Sequence, residues 1–337
     1  MVAPCHGAGG SAVVSTDPAP SFGSSQAAVS LSVVICCYTL QRWQGLTDAV
    51  AAVLDALTAE DELIIVVDGN DLLLQRLTDE PPDPTGRHRV SVIANSAQPG
   101  LSGARNTGVA AAHEPLVVFL DDDAVLRPAA LDAVRASFAD PGVTALGGAV
   151  WPAWESGHQP HWFPPEFGWV VGCDYRGLPT DGAPIRNPIG AAMAVRRDAL
   201  VEIGGFSRRL GRVATVPAGC EETMMGIELV RRNPQATIIR QTSFAVDHTV
   251  PRDRMTMAYF VRRCFHEGRS KAVLTRLCGR QSALHSERSY TTRTLPSGVW
   301  RARRHPRRIV ALVVGFVVTG VGYVTGSVTT AVRKDHQ

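Results

Sequence analysis

The seven cysteines (Cys5, Cys36, Cys37, Cys173, Cys220, Cys264 and Cys278) include no Cys-x-x-Cys pair. That spacing underlies structural zinc sites and thiol–disulfide motifs, so neither chemistry is expected. The number is odd, and Cys36 and Cys37 adjoin in an apolar run, which fits a reduced compartment better than a disulfide scaffold. The N-terminus lacks a basic region followed by a long apolar core, so no signal peptide is expected. The first strand-like run also lacks a following loop rich in Gly, Lys and Arg. It is followed instead by Tyr38-Thr-Leu-Gln-Arg42, which argues against a sugar-phosphate nucleotidyltransferase.

What is present is a chain of 337 residues, 45% hydrophobic and 19% charged, long enough for one large or two small domains with a real core. Its net charge of +3 conceals an asymmetry: residues 251–308 hold 15 basic and 3 acidic side chains, leaving the first 250 net acidic. A basic tail on an acidic body points to contact with anions, such as phospholipid heads, lipid phosphates or nucleic acid.

Residues 1–29 are rich in Gly, Ala, Ser and Pro without apolar periodicity, and are expected to be disordered. Short β-branched runs then recur at 31–37, 63–67, 89–93 and 116–120, separated by helical patterns. The alternation predicts an α/β fold, a mainly parallel sheet with helices on both faces. Pro128 is expected in the first turn of a helix reaching Phe138. Residues 147–190 are dense in Gly and Pro and hold Trp151, Trp154, Trp162 and Trp169, which reads as a long functional loop or cover. An amphipathic helix is expected within 251–280, with Met257, Phe260, Val261 and Cys264 on one face. Residues 309–332 carry no charge and follow the arginine cluster Arg301–Arg308. That length suffices to cross a bilayer, although Gly315, Gly320, Gly322 and Gly326 weaken a span. The organisation expected is a disordered 1–29, a catalytic domain at 30–280, a basic juxtamembrane linker at 281–308 and a membrane-associated or transmembrane segment at 309–332. By the positive-inside bias the catalytic domain faces the cytoplasm at the cell membrane. A basic tail abutting an apolar segment favours an anionic membrane surface over nucleic acid.

In an open parallel sheet, ligands bind beyond the carboxyl ends of the strands. Tyr38-Thr39, Asp68 and Asp121-Asp122-Asp123 occupy such ends and converge on one crevice. Adjacent carboxylates after an apolar strand repel one another unless a cation neutralises them. Mg2+ or Mn2+ takes hard oxygen ligands together with substrate phosphates, and in extended backbone Asp121 and Asp123 point the same way. A solvated turn with Asp123 capping a helix would use the same residues. Arg105, after Gly100 and Gly103, offers a forked donor to a phosphate. Glu221 and Glu222 head a helix, where they serve either as caps or as a general base. His248 is a further possible ligand.

These elements, in this order, resemble the inverting glycosyltransferase family 2, which has the GT-A fold. The resemblance covers roughly residues 31–275 and rests on Val33-Val-Ile-Cys-Cys-Tyr-Thr39, Ile65-Val-Val-Asp68, Ala104-Arg-Asn-Thr-Gly108, Phe119-Leu-Asp-Asp-Asp123, Ala194 to Phe206, and Glu221-Glu222. Arg186-Asn-Pro-Ile-Gly190 and Cys264 to Lys271 look most like the branch that includes archaeal glucuronosyltransferases acting on dolichyl-phosphate-linked sugars. The resemblance implies a nucleotide-sugar donor, with UDP the expected nucleotide. Asp68 would then contact the base, Asp121 the ribose or the metal shell, and Asp123 the metal, completed by His248. Tyr38, Thr39, Arg105 and Asp122 would belong to the donor site. Glu222 would be the catalytic base at the family's usual Asp, with Glu221 the alternative. Arg262 and Arg263 would serve the diphosphate or the acceptor. Trp162 would join them, the Trp-rich stretch either stacking on acceptor sugar or dipping into the membrane interface, and the acceptor would be a polyprenyl-phosphate-linked sugar or a cell-envelope glycan. Thr39 stands where many members have Asn. An inactive membrane-bound sugar- or nucleotide-binding scaffold of the same fold is the alternative.

Overall fold

The structure, a computed structural model, describes Met1, residues 29–207, Leu210 and residues 219–332. Apart from Met1 and Val29, the segment expected to be disordered lies outside the described residues. The first half alternates strand and helix: β1 (Leu31–Cys37), α1 (Trp43–Ala56), β2 (Glu62–Val67), α2 (Asp71–Asp79), β3 (Arg89–Ala94), α3 (Leu101–Ala111), β4 (Leu116–Asp121), β5 (Ala124–Leu126) and α4 (Ala130–Phe138). The second half continues through β6 (Val143–Trp154), β7 (Ala192–Arg196), α5 (Arg197–Glu202), α6 (Glu221–Arg232), β8 (Thr237–Val250), α7 (Met257–Cys278), α8 (Arg280–Ala283), α9 (His285–Ser289), α10 (Leu295–Arg301) and α11 (Pro306–Val332).

The strands form one sheet in the order β3-β2-β1-β4-β7-β6-β8-β5. The Val- and Ile-rich β2 is buried along its whole length and β1 at every position but the half-buried Cys36, because helices cover both faces, as the uninterrupted apolar runs require. β1 pairs in parallel with β2 and β4, and β2 with β3. In that register Cys37 lies opposite Val67, and Cys36 opposite Asp121. Tyr38, Asp68 and the aspartates therefore leave the sheet along one edge. Beyond β4 the sheet is mixed: β7 is antiparallel to both β4 and β6, β6 is parallel to β8, and β5 is antiparallel to β8. The last pairing sets Ala124 opposite His248, which delivers the histidine to the triple aspartate.

Two local expectations need correction. The helix after the aspartates begins at Ala130, not at Pro128. Arg127 N–H still donates to the Ala245 carbonyl at 2.9 Å, so Pro128 lies in the connection out of the sheet. Residues 147–190 are not one loop, because β6 extends to Trp154 and carries Trp151 and Trp154. The glycines there serve close packing: a Cβ on Gly147 would meet Ile185 and Pro188, and one on Gly148 the Phe244 carbonyl.

α7 and α11 lie side by side and run in the same direction. A Cβ on Gly315 would strike Phe167 and Phe260, one on Gly322 the Phe265 backbone, and one on Gly326 Ala272 and Arg269. Gly268 of α7 meets the backbone of α11 at Thr319 and Tyr323. The glycines that weaken α11 as an isolated span are what allow the two backbones to approach.

Candidate functional site

The edge of the sheet where β1, β2 and β4 end opens into a cavity of ≈ 1370 Å³. Tyr38, Asp68, Arg105, Asp121, Asp122, Asp123, Glu221, Glu222, His248 and Arg263 all line it. Thr39, Arg262 and Trp162 do not. The Thr39 hydroxyl instead accepts from Gln41 N–H and caps the turn that follows. Arg262 points outward from α7 over the Tyr259 ring. Trp162 packs edge-on against Phe260 in the core.

At one end, Asp68 accepts from the Asn95 amide at 2.7 Å and from Gly100 N–H at 2.9 Å. It thereby ties the loop before α3 to the end of β2 and leaves the Tyr38 ring half-exposed beside it. Next along the edge, Asp121, Asp123 and His248 each offer a ligand atom within 4.8 Å of the others. His248 Nε2 stands 3.1 Å from Asp123 Oδ1 and 3.8 Å from Asp121 Oδ2. Asp123 Oδ1 is buried and, despite that short distance, lacks a properly aligned hydrogen bond, as does Asp122 Oδ2. A buried carboxylate oxygen without a donor, facing an imidazole nitrogen and a second carboxylate, fits a divalent cation with oxygen and nitrogen ligands. From the other side Arg42 donates to Asp122 at 2.6 Å and approaches Asp123 Oδ2 at 3.2 Å.

These charges sit where water is scarce, and the protonation equilibria shift accordingly. Burial, followed by the neighbouring Asp123 charge, raises the Asp122 carboxyl to about 6, although Arg42 opposes it. Burial would also raise Asp123, but His248 and Arg42 outweigh it and hold that carboxyl well below the usual range. Burial disfavours the His248 cation, yet Asp123 more than compensates and its pKa rises well above the ordinary value. A divalent cation held by these groups would take the place of that proton. His248 Nδ1 lies 3.6 Å from the Cys173 thiol, which fixes the ring from behind.

Across the cavity, α6 begins at Glu221, and its N-cap Cys220 is held in the left-handed region at φ 74°. This is strained backbone for a non-glycine residue, and it aims the first turn at the crevice. Arg105, only 3% exposed, donates to Glu222 at 2.9 Å and stands 3.6 Å from both Glu221 and Asp121. Burial acts against its charge, but Glu222, Glu221 and Asp121 raise its pKa further still. Glu222 is the more open of the two glutamates, its side chain 17% exposed against 4% for Glu221. One guanidinium thus links the acidic centre to the head of α6.

A second charged group lines the far wall. Arg263 pairs with Glu267 at 2.8 Å, Lys271 with Glu267 at 3.2 Å and Glu287 at 2.5 Å, and Arg186 with Glu287 at 2.8 Å. Burial would raise both glutamates, but Lys271 with Arg263 holds Glu267 at about 2, and Lys271 with Arg186 holds Glu287 at about 2. Glu287 and Tyr290 belong to the segment 281–308, so the stretch read from its charge as a linker also builds cavity wall. Sequence reasoning assigned no role to Arg42, Arg186, Glu267, Lys271, Glu287 or Cys173. One signal was readable: positions 263, 267 and 271 form a stripe on α7 at i, i+4 spacing. Arg42 gave none, since only the fold brings it to the aspartates.

The model of the Glycosyl transferase family 2 family matches residues 32–204. A glucosyl-dolichyl phosphate glucuronosyltransferase of Haloferax volcanii is 30% identical over 247 residues, which is 73% of this chain and 77% of the relative. Among solved structures, the mannosyltransferase PcManGT from Pyrobaculum calidifontis in complex with GDP-Man and Mn2+ superposes with TM-score 0.54. It is 16% identical and the match covers 89% of this chain and 84% of that one. GalNAc-T7 with UDP, GalNAc and Mn2+ gives TM-score 0.52 and 14% identity, over 79% of this chain and 55% of that chain. At such identities these structures speak for a shared GT-A fold.

Proposed function

This chain belongs to glycosyl transferase family 2, and we propose that it is a metal-dependent, inverting enzyme that moves a sugar from a UDP-sugar to a hydroxyl of a polyprenyl-phosphate-linked or cell-envelope glycan acceptor at a membrane. The observation that carries this reading is the bridge made by Arg105. It stands 2.9 Å from Glu222 and 3.6 Å from Asp121, so a candidate base and a candidate metal ligand face one space.

Tyr38 and Asp68 line the end of the cavity where a nucleoside would lie, with Asp122 held ready beside them by Arg42. Asp121, Asp123 and His248 would hold Mg2+ or Mn2+. Bound there, the ion supplies Lewis-acid neutralisation of the diphosphate that leaves. Arg105 adds a fixed positive charge on the same side. Glu222 takes the proton from the acceptor hydroxyl. The hydroxyl oxygen bonds to the anomeric carbon as the bond to the diphosphate oxygen breaks. The carbon passes through oxocarbenium character, and one displacement inverts its configuration. Glu222 rather than Glu221 is the base in this reading because its carboxylate is the more open to the cavity.

Support for the donor comes from the two structures of this fold solved with GDP-Man or with UDP, each with Mn2+. Support for a lipid-linked acceptor comes from the name of the Haloferax relative and from the basic residues 251–308. Arg263 faces the cavity from α7 and is the acceptor-side cation of this reading. Residues 30–280 carry the catalytic groups, 281–308 complete the cavity wall, and the basic residues 251–308 suit the anionic cytoplasmic face of the cell membrane. The test is transfer of radiolabelled sugar from UDP-sugars into the lipid extract of membranes carrying the protein. Label in the lipid fraction that is absent with Glu222→Gln supports the reading. Transfer to a soluble acceptor at equal rate without membranes contradicts its acceptor.

A further inference from the structure

α11 is long and apolar enough to cross a bilayer, yet its surroundings are those of a helix lying along one. The segment Pro306–Val328 has a mean hydropathy of 2.1, and only 28% of its most apolar window is buried by the rest of the protein. It is therefore no ordinary core helix. Val310, Val313, Val317, Val321, Val324 and Val328 are each about half exposed or more, and their spacing of three and four puts them on one face. The opposite face packs mainly against α7, through the glycine contacts at 315, 322 and 326, with Phe167 also at Gly315.

What α7 carries decides the geometry. The two helices stay in contact from Phe260 to Arg276, a length of about 24 Å at 1.5 Å per residue. Along the outer edge of that seam stand Arg262, Arg269 and Arg276, exposed and seven residues apart. Along its inner edge stand Arg263, Glu267 and Lys271 in the cavity wall. A crossing α11 would draw this whole length of α7, arginines included, into hydrocarbon without counter-charges, which a bilayer does not tolerate. Laid flat, the same arrangement is favourable: valines enter the acyl boundary while the flanking arginines reach the phosphate layer. Arg303 and Arg304 just before α11, Arg307 in its first turn, and the exposed Trp300 with Arg303 stacked on it at 4.5 Å, suit the headgroup region in the same way.

The geometry points to α11 as an in-plane anchor: its valine face, flanked by the α7 arginine row, docks the catalytic domain on an anionic bilayer surface without crossing it. A second copy of the chain is the poorer occupant, since an isologous contact would bring two arginine rows together. α11 also lends Phe316, Thr319 and Tyr323 to the cavity lining, so the docked surface is continuous with the site. Docking and sugar transfer are separate properties, and failure of one leaves the other standing.

The experiment adds the full-length protein, tagged after Gln337, to preformed sealed vesicles of phosphatidylglycerol or of phosphatidylcholine. In-plane docking predicts binding to the anionic vesicles that weakens at high salt, release by alkaline carbonate, and a tag that external protease removes. The doubly substituted Val317→Asp, Val321→Asp protein should lose at least about tenfold in partitioning with its melting temperature unchanged, since both sites are exposed. Resistance to carbonate with a protected tag would overturn the proposal in favour of a crossing helix. Absence of vesicle binding, with a dimer that the double substitution dissociates, would overturn it in favour of a second copy.

Discussion

Arg105 and Glu222, 117 positions apart in the chain, meet at 2.9 Å in the cavity wall. The contact joins α3 to the first turn of α6, and it leaves no room for anything larger than hydrogen at Gly190. A Cβ there would collide with both the Glu222 carboxylate and the Arg105 guanidinium. Gly190→Ala should therefore displace the pair and lower kcat by at least about tenfold, with little change in fold. Steady-state kinetics alongside circular dichroism measures this, and unaltered kcat would show that the pair's placement is not needed.

The two glutamates should separate by readout. Glu222→Gln removes the proposed base, so kcat should fall by about 10²- to 10⁴-fold while nucleotide binding persists. Glu221→Gln alters a more deeply buried side chain and should show mainly in the melting temperature. Calorimetric titration with nucleotide, paired with turnover, distinguishes them. The reverse pattern would make Glu221 the base.

Arg42 holds two buried carboxylates, Asp122 and Asp123. Removing one partner of such a group leaves uncompensated charge and costs about 3–5 kcal/mol. Arg42→Ala should lower the melting temperature, and Mn2+ should recover part of the loss by supplying positive charge at Asp123. Thermal unfolding with and without Mn2+ tests this, and an unshifted melting temperature would contradict it.

Acid should loosen the far wall. Glu267 and Glu287 are held at about 2 in the fold, against an ordinary value of 4.5. A depressed carboxyl contributes stability above its unfolded pKa and loses it as pH falls towards the folded one. Stability should thus drop between pH 4.5 and 2. Glu287→Gln, measured by urea unfolding across that window, should show a shallower decline than the parent.

Much of this was legible in the sequence. The apolar runs named β1 to β4, and the polar residues at their ends named the crevice, because burial follows directly from β-branched runs between helices, while the order of the strands came only with the fold. The order of motifs then carried the family. What stayed hidden depends on long-range pairing. β5, three residues long, gives no pattern of its own, yet its pairing with β8 is what brings His248 to Asp123. Arg42 looks like any surface arginine until the α1 connection folds over the aspartates. Thr39, Arg262 and Trp162 lie outside the cavity lining. Each sits in a stretch resembling the family, but capping, an outward helix face and core packing claim their side chains. The glycines of α11 read as defects in a span, because the sequence does not reveal that α7 lies against them.

The most direct test of the account is nucleotide release by the purified protein from a panel of UDP-, GDP- and dTDP-sugars, with Mn2+, with EDTA and as Asp123→Ala. The account predicts release from UDP-sugars that needs the metal and falls at least about 100-fold in the variant. Release that persists undiminished in EDTA and in Asp123→Ala would contradict it.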